Sequence, residues 1–193
     1  TIPPVRLRLA DGSNEILVAG PTLFAGYWQD EAATAEVLKD GWYHTGDVGR
    51  IDERGNLVLM GRTKNIIVLP NGLNVYPEDI ENVLEECGLA QAVVLETAPG
   101  RIEAIVLSPD APPVPTANAP SPELPETDEE KAELKRRVDA IVREANRRLG
   151  QHQRIDGWRL WPEQDFPRTH TLKIKRSEVH GWAASEAPIP LHD

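Results

Sequence analysis

The residues best suited to chemistry begin with Asp47, in the run Gly41-Trp42-Tyr43-His44-Thr45-Gly46-Asp47-Val48-Gly49-Arg50. Gly46 permits a close backbone approach that a Cβ would block, so the carboxylate behind it can be offered to a ligand. A carboxylate accepts two hydrogen bonds at once, which suits the vicinal hydroxyls of a ribose. Taken alone, Thr45-Gly46-Asp47 reads more often as a solvated turn or a helix cap than as a ligand site. Arg62, in Gly61-Arg62-Thr63-Lys64, carries a planar fork of donors that can reach ribose oxygens or a phosphate, or can pair on the surface with Asp47 or Asp52. Lys173 lies in the basic stretch Arg168–Arg176, and such a charge run by itself reads as solvated surface. Gly72 sits in the turn signal Pro70-Asn71-Gly72.

These residues need a scaffold, and the composition allows one. The chain has 193 residues, 40% hydrophobic and 27% charged, enough for one ordinary domain or two small ones. Its apolar runs are too short to cross a bilayer. No basic-then-apolar leader opens it, and Thr1 in place of Met suggests a start inside a longer polypeptide. The single Cys87 excludes an intrachain disulfide and a multi-cysteine metal site, and its spacing after Ile80, Val83 and Leu84 makes it helix core. The five histidines have no ligand spacing, so no metal site is expected in this chain. The economical compartment is the cytoplasm.

The net charge of -10 hides an asymmetry: residues 135–176 hold 12 of the 21 Lys and Arg against five Asp and Glu. Two readings follow for Lys135, Arg136, Arg143, Arg147 and Arg148, a solvated helix face or attraction of a polyphosphate. Nucleic acid is not an expected partner, because no aromatic interleaving or nucleic-acid module accompanies the basic residues.

Residues 1–29 alternate apolar and polar positions around the turn signal Asp11-Gly12, which predicts β structure. Asp30 caps a short expected helix with Ala33, Val37 and Leu38 on one face, ended by Asp40-Gly41. Val48–Ile51 and Leu57–Met60 form a hairpin pattern, and Ile66–Leu69 reads as a buried strand. Pro77 opens a helix with the face Ile80, Val83, Leu84 and Cys87. Strands are expected at Ala92–Leu95 and Ile102–Leu107. Seven prolines between residues 108 and 125 predict an extended, exposed loop. Thr127-Asp128-Glu129-Glu130 is a capping box for a long helix whose stripe is Leu134, Val138, Ile141, Ala145 and Leu149. A strand near Trp158–Trp161, a helix near Ser177–Ala184 and a frayed tail complete an α+β pattern. It comprises a small β-rich subdomain, then a compact domain with a small mixed or antiparallel sheet packed by helices.

Three motifs in order resemble the adenylate-forming enzymes (the AMP-dependent synthetase/ligase family). Trp42-x-x-Thr45-Gly46-Asp47 is the first. The second is Gly61-Arg62-x-Lys64 followed by Asn71-Gly72-x-Asn74-Val75-Tyr76-Pro77-Glu78-x-Ile80-Glu81, a variant most like the long-chain fatty acyl-CoA synthetases. The third, Pro167-Arg168-Thr169-His170-Thr171-Leu172-Lys173-Ile174-Lys175-Arg176, resembles a Pro-Arg-Thr-x-Thr-Gly-Lys-Ile-x-Arg motif, with Leu172 in place of the usual glycine.

The resemblance covers nearly the whole chain and implies the following. Residues 1–62 would close a large N-terminal domain, 63–65 would be a hinge centred on Lys64, and 66–193 would be a mobile C-terminal domain with the Pro-rich loop 108–125. Asp47 and Arg62 would bind the ribose of ATP or AMP, Lys173 would be the catalytic lysine of adenylation, and Gly72 would line the CoA pantetheine path. The function implied is ATP-dependent acyl-CoA synthesis from a fatty acid or other carboxylate by an acid–thiol ligase. Its Mg²⁺ site, phosphate loop and acyl pocket would lie mainly in an N-terminal domain of the same polypeptide, so the isolated chain is expected to be inactive. A peripheral membrane location stays open for the intact enzyme. Two alternatives also stay open: transfer of the acyl group to a carrier protein, and a non-catalytic nucleotide-binding or interaction module on the same scaffold.

Overall fold

A computed structural model of the chain describes residues 4–109, 127–185 and 189–190. The Pro-rich loop from residue 110 onward lies outside the described residues, as does the tail beyond 185 except for 189–190. The chain divides into two compact units, Thr1–Ile66 and Ile67–Asp193.

In the first unit, strands β1 (Arg6–Leu9), β2 (Glu15–Ala19), β3 (Leu38–Lys39), β4 (Trp42–Ile51) and β5 (Leu57–Arg62) form one sheet in the order β1-β2-β4-β3, with β5 also on β4. All of its pairings are antiparallel. Helix α1 (Glu31–Val37) is capped by Asp30, whose side chain accepts the Ala33 N–H. It is shorter than the sequence pattern suggests. Leu38 leaves it to pair with Tyr43, and Asp40-Gly41 turns a tight hairpin, both residues with positive φ, instead of ending a helix. The second departure is larger: Thr45-Gly46-Asp47 lies inside β4, not in a turn.

The second unit is built on a sheet ordered β11-β10-β9-β8, from β8 (Ala92–Ala98), β9 (Arg101–Val106), β10 (Gly157–Leu160) and β11 (Ile189–Pro190). β9 pairs antiparallel with β8 and parallel with β10, so the sheet is mixed. Strand side chains alternate between faces, and the sequence exploits both. Ile102, Ala104, Val106, Val94 and Trp158 pack on one face with Ile80 and Leu84 of α2 (Pro77–Glu86) and with Leu134, Val138, Val142 and Ala145 of α3 (Asp128–Arg148). Ile105, Leu107, Val93 and Leu95 pack on the other with Trp161, Phe166 and with Val179 and Ala183 of α4 (Arg176–Ser185). The capping box of α3 is formed: Thr127 accepts the Glu130 N–H, and the Glu130 carboxylate accepts the Thr127 N–H.

Buried charge in this unit is paired. Arg159 Nη2 lies 2.6 Å from Glu103 Oε2, and its Nη1 donates to the Ala183 carbonyl, which ties α4 to the sheet. Asp139 accepts the Trp158 indole N–H at 2.7 Å and the Lys135 ammonium at 2.6 Å. Although burial opposes its ionisation, these hydrogen bonds and the charges of Lys135 and Arg143 hold the Asp139 pKa below the ordinary carboxylate value. The stretch Ile66–Leu69 meets the expectation of a buried strand on one face, where Ile67 and Leu69 join the core, and departs from it on the other. Only β6 (Ile67–Val68) pairs, with β7 (Asn74–Val75), and Val68 is 61% exposed because this two-stranded ribbon has one uncovered face.

Candidate functional site

The pairing of β2 with β4 is interrupted where the chemistry was expected. Glu15 pairs with Val48 and Leu17 with His44, so β4 advances four residues while β2 advances two. The surplus forms a bulge at Thr45-Gly46-Asp47, and bulges re-aim side chains at the cost of ladder hydrogen bonds. Side chains replace the lost bonds. Thr45 Oγ1 donates to the Ile16 carbonyl at 2.8 Å and accepts the Asp47 N–H at 3.0 Å. Glu15 Oε1 accepts the Gly46 N–H at 2.9 Å, and Thr63 Oγ1 donates to the Gly46 carbonyl at 3.1 Å. Gly46 has φ +71°, so its glycine is needed for the backbone conformation itself.

Asp47 lies directly across the ladder from Arg62, and Arg62 Nη1 donates to Asp47 Oδ1 at 2.7 Å. The side chains are 37% and 46% exposed, so the pair contributes on the order of 0–1 kcal/mol. Asp47 Oδ2 has no protein donor among the described residues. Of the two surface partners weighed for Arg62, Asp47 is the one it meets. Asp52 instead accepts the N–H groups of Arg54 and Asn56 in the β4–β5 turn. Lys64 is exposed in a single 3₁₀ turn, Thr63–Asn65, that follows β5 directly.

In the second unit Lys173 lies in a small hairpin closed by the Arg168–Ile174 bridge. Thr169 N–H donates to the Lys173 carbonyl at 2.8 Å, and Lys175 N–H to the Pro167 carbonyl at 2.8 Å. Leu172, next to the lysine, has φ +63° and is 66% exposed. The usual motif glycine therefore stands at a left-handed position, and Leu172 adopts the same conformation with a Cβ. Two arginines fasten the hairpin at its base. Arg168 binds both oxygens of Asp165, the Gln91 side chain and the Leu172 carbonyl. Arg176 binds Glu81 of α2 and the Val94 carbonyl of β8. Burial raises the Glu81 pKa, against the pull of Arg176 and the Val94 N–H. The Lys173 side chain is exposed, and among the described residues it has no carboxylate partner.

Gly72, in the turn between β6 and β7, has φ +81° and nothing within 4 Å of a Cβ built on it. The turn is closed by the Gly72 N–H on the Leu69 carbonyl at 2.8 Å. The basic residues of α3 favour the solvated-face reading. Arg136 pairs with Glu133, Arg147 and Arg148 with Glu144, and Lys135 and Arg143 with Asp139, all within one helical turn. Among the described residues no group of three or more His, Cys, Asp or Glu is placed to hold a metal ion, and no helix is long and apolar enough to cross a membrane.

Glu15, His44 and Thr63 were not singled out in the sequence, because their roles depend on a strand offset that no local pattern encodes. Arg168 and Arg176 were visible as motif residues, but their partners Gln91, Asp165 and Glu81 are set by tertiary packing.

The model of the AMP-binding enzyme C-terminal domain matches residues 64–184. The long-chain-fatty-acid–CoA ligase FadD15 of Mycobacterium tuberculosis is 38% identical over 197 aligned residues, covering 96% of this chain and 32% of that protein. The long-chain-fatty-acid–CoA ligase of Salmonella typhimurium is 42% identical over 107 residues, covering 51% of this chain and 19% of that protein. Among solved structures, the amide bond synthetase McbA from Marinactinospora thermotolerans superposes with a TM-score of 0.65 at 28% identity, covering 92% of this chain and 34% of McbA. The chain thus spans about a third of the length of FadD15 and of McbA. Its α+β architecture is that of the adenylate-forming enzymes. The chain belongs to the AMP-binding enzyme C-terminal domain family.

Proposed function

We propose that this chain supplies the ribose-binding carboxylate, the hinge and the catalytic lysine of an ATP-dependent acid–thiol ligase that converts a fatty acid to its CoA thioester. The observation that carries the reading is the presentation of Lys173: an exposed ammonium without a carboxylate partner among the described residues, in a hairpin fastened at its base by Arg168 and Arg176. The fatty acid and CoA are supported by the names of the FadD15 and Salmonella typhimurium relatives.

In this reading Asp47 accepts the two ribose hydroxyls, with Arg62 beside it as a donor to the sugar or a phosphate. A carboxylate oxygen of the fatty acid attacks the α-phosphorus of ATP. A phosphorus–oxygen bond forms as the bond to pyrophosphate breaks, and negative charge gathers on the phosphoryl oxygens. The Lys173 ammonium bridges the incoming carboxylate and the phosphate, and it stabilises that charge without transferring a proton. Residues 66–193 then rotate about the hinge at 63–65, because a few backbone dihedrals near Lys64 can reorient a whole domain. The Gly72 turn comes to line the pantetheine path. The CoA sulfur attacks the acyl carbonyl, its proton passes to solvent, and the carbon–oxygen bond to AMP breaks. The phosphate loop, the acyl pocket and the Mg²⁺ site are assigned to an N-terminal domain of the same polypeptide, a division supported by the chain's matching only 32% of the length of FadD15. The chain alone is inactive in this reading, and the complete enzyme works in the cytoplasm.

The test separates the half-reactions in an enzyme that joins this chain to its large domain. Lys173→Ala is expected to lower ATP–pyrophosphate exchange by about 10²–10³-fold, the usual loss for one preorganised charge-stabilising group. Thioester formation from supplied acyl-adenylate and CoA should remain within a few-fold. Equal losses in both steps would refute the role given to Lys173.

A further inference from the structure

We propose that Glu15 is a positioning residue that holds Asp47 in its ribose-binding presentation, a role that rests on the reading of Asp47 given above. The carboxylate of Glu15 reaches across from β2 and grips β4 at two places. Oε2 lies 2.9 Å from His44 Nδ1, and Oε1 accepts the Gly46 N–H at 2.9 Å. One side chain thereby straddles Thr45 and spans the start of the bulge.

The need for such a clamp follows from the register. Where β4 advances four residues against two on β2, the Gly46 amide loses its ladder partner. A backbone N–H withdrawn from water without an acceptor is destabilising, because its lost hydrogen bond to water is not replaced. Glu15 meets this need with an ionised oxygen, the stronger kind of acceptor. Its second oxygen fixes the imidazole of His44, whose backbone is the last in register before the bulge. Glu15 is only 17% exposed, so its charge is partly desolvated and depends on these two donors. Asp47 comes next after the clamped amide. Its own N–H is held by Thr45 Oγ1, and the Gly46 carbonyl by Thr63. The Glu15 contact is the one that links this bulge to the neighbouring strand β2 through an ionised side chain. Losing it frees Gly46 to flip at φ +71°, and the Asp47 carboxylate would lose its fixed direction.

A clamp predicts a difference between two substitutions at the same site. Glu15→Gln keeps a side-chain oxygen for the Gly46 N–H, whereas Glu15→Ala removes it. In the 193-residue chain, amide hydrogen exchange by NMR should accelerate at Gly46 at least ten-fold in Glu15→Ala and less than three-fold in Glu15→Gln. In the enzyme carrying this chain with its large domain, Glu15→Ala should raise KM for ATP about ten-fold, leave KM for the fatty acid unchanged, and be largely rescued by Glu15→Gln. Unchanged exchange at Gly46 in Glu15→Ala would overturn the clamp. Unchanged KM for ATP in Glu15→Ala, while Asp47→Ala raises it, would overturn the positioning role. No effect of Asp47→Ala on KM for ATP would instead overturn the ribose reading of Asp47, and the exchange measurement would still decide whether Glu15 holds the bulge.

Discussion

Leu172 holds a left-handed backbone conformation, φ +63°, beside the lysine on which the proposed adenylation depends. For an L residue with a Cβ this costs on the order of 1–2 kcal/mol, and Leu172 is too exposed to recover much of it by burial. Glycine would remove that strain but would add chain entropy to the unfolded state, an opposing effect of about 0.4–1 kcal/mol. Leu172→Gly should therefore be neutral or stabilising by up to about 1 kcal/mol, whereas a β-branched residue is worst suited to this region, so Leu172→Val should destabilise by roughly 1 kcal/mol. Urea unfolding of the three chains checks the order Gly, Leu, Val; a Val variant as stable as the Leu chain would count against strain at this position. The departure from glycine was visible in the sequence, and the left-handed turn explains why the motif normally has one there. The bulge at Asp47 was not legible in the same way. Thr45-Gly46-Asp47 has turn composition, and only the offset between two strands separated in sequence turns it into an irregular strand with Glu15 beneath it.

Elements were legible wherever one face had to be buried. The stripes of α2 and α3 and the short apolar runs of β8 and β9 led to the observed helices and strands, because Ile80, Leu84 and Val138 bury one helical face while Val93, Val94, Ala104 and Ile105 bury both faces of the sheet. The short ribbon β6–β7 obeys the same rule on one face only: Ile67, Leu69 and Val75 join the core while Val68 points away from it, so the apolar run Ile66–Leu69 is buried on alternate residues and not throughout. What sequence periodicity does not give is the polar tie between elements, and the link from α4 through Arg176 to Glu81 of α2 is the one nearest Lys173. Burial already pushes the Glu81 pKa above its ordinary value of 4.5 despite the guanidinium. A raised folded-state pKa gives a contribution fully present below the unfolded value and lost as pH rises through the folded value. Arg176→Met removes the counter-charge, raises that pKa further and leaves a largely buried carboxylate with the Val94 N–H but no cation above it. The expected loss is about 3 kcal/mol at pH 7, shrinking as the pH falls through 4.5, below which Glu81 becomes protonated in the unfolded chain as well as the folded one. Urea midpoints from pH 4.5 to 8 measure this, with Glu81→Gln in the Arg176→Met background expected to flatten the difference. A loss independent of pH would show that Arg176 acts through packing alone.

At the scale of the whole chain the two units differ in how much apolar surface they bury for themselves. Between Ile67 and Ala183 the core is continuous across both faces of the β8–β10 sheet, and both hydrophobic clusters are drawn wholly from this unit. The first unit buries Ile16, Leu17, Ala19 and Val48, but leaves Val5, Leu7, Phe24, Tyr27, Trp28 and Leu59 largely exposed. A domain of about 60 residues is marginal even when its core is complete, because its surface is large relative to its volume. It follows that residues 67–193 expressed alone should fold cooperatively, with a stability on the order of 5–10 kcal/mol and the near-ultraviolet dichroism of buried Trp158 and Trp161. Residues 1–66 expressed alone should give no cooperative urea transition, since roughly 1–2 kcal/mol of backbone entropy per ordered residue has too little burial to offset it. The bulge at Asp47 should lose its fixed geometry in that isolated segment, because the strands that hold it would not be stably paired. A sharp transition for residues 1–66 in urea, with Gly46 amide exchange as slow as in the 193-residue chain, would refute that expectation.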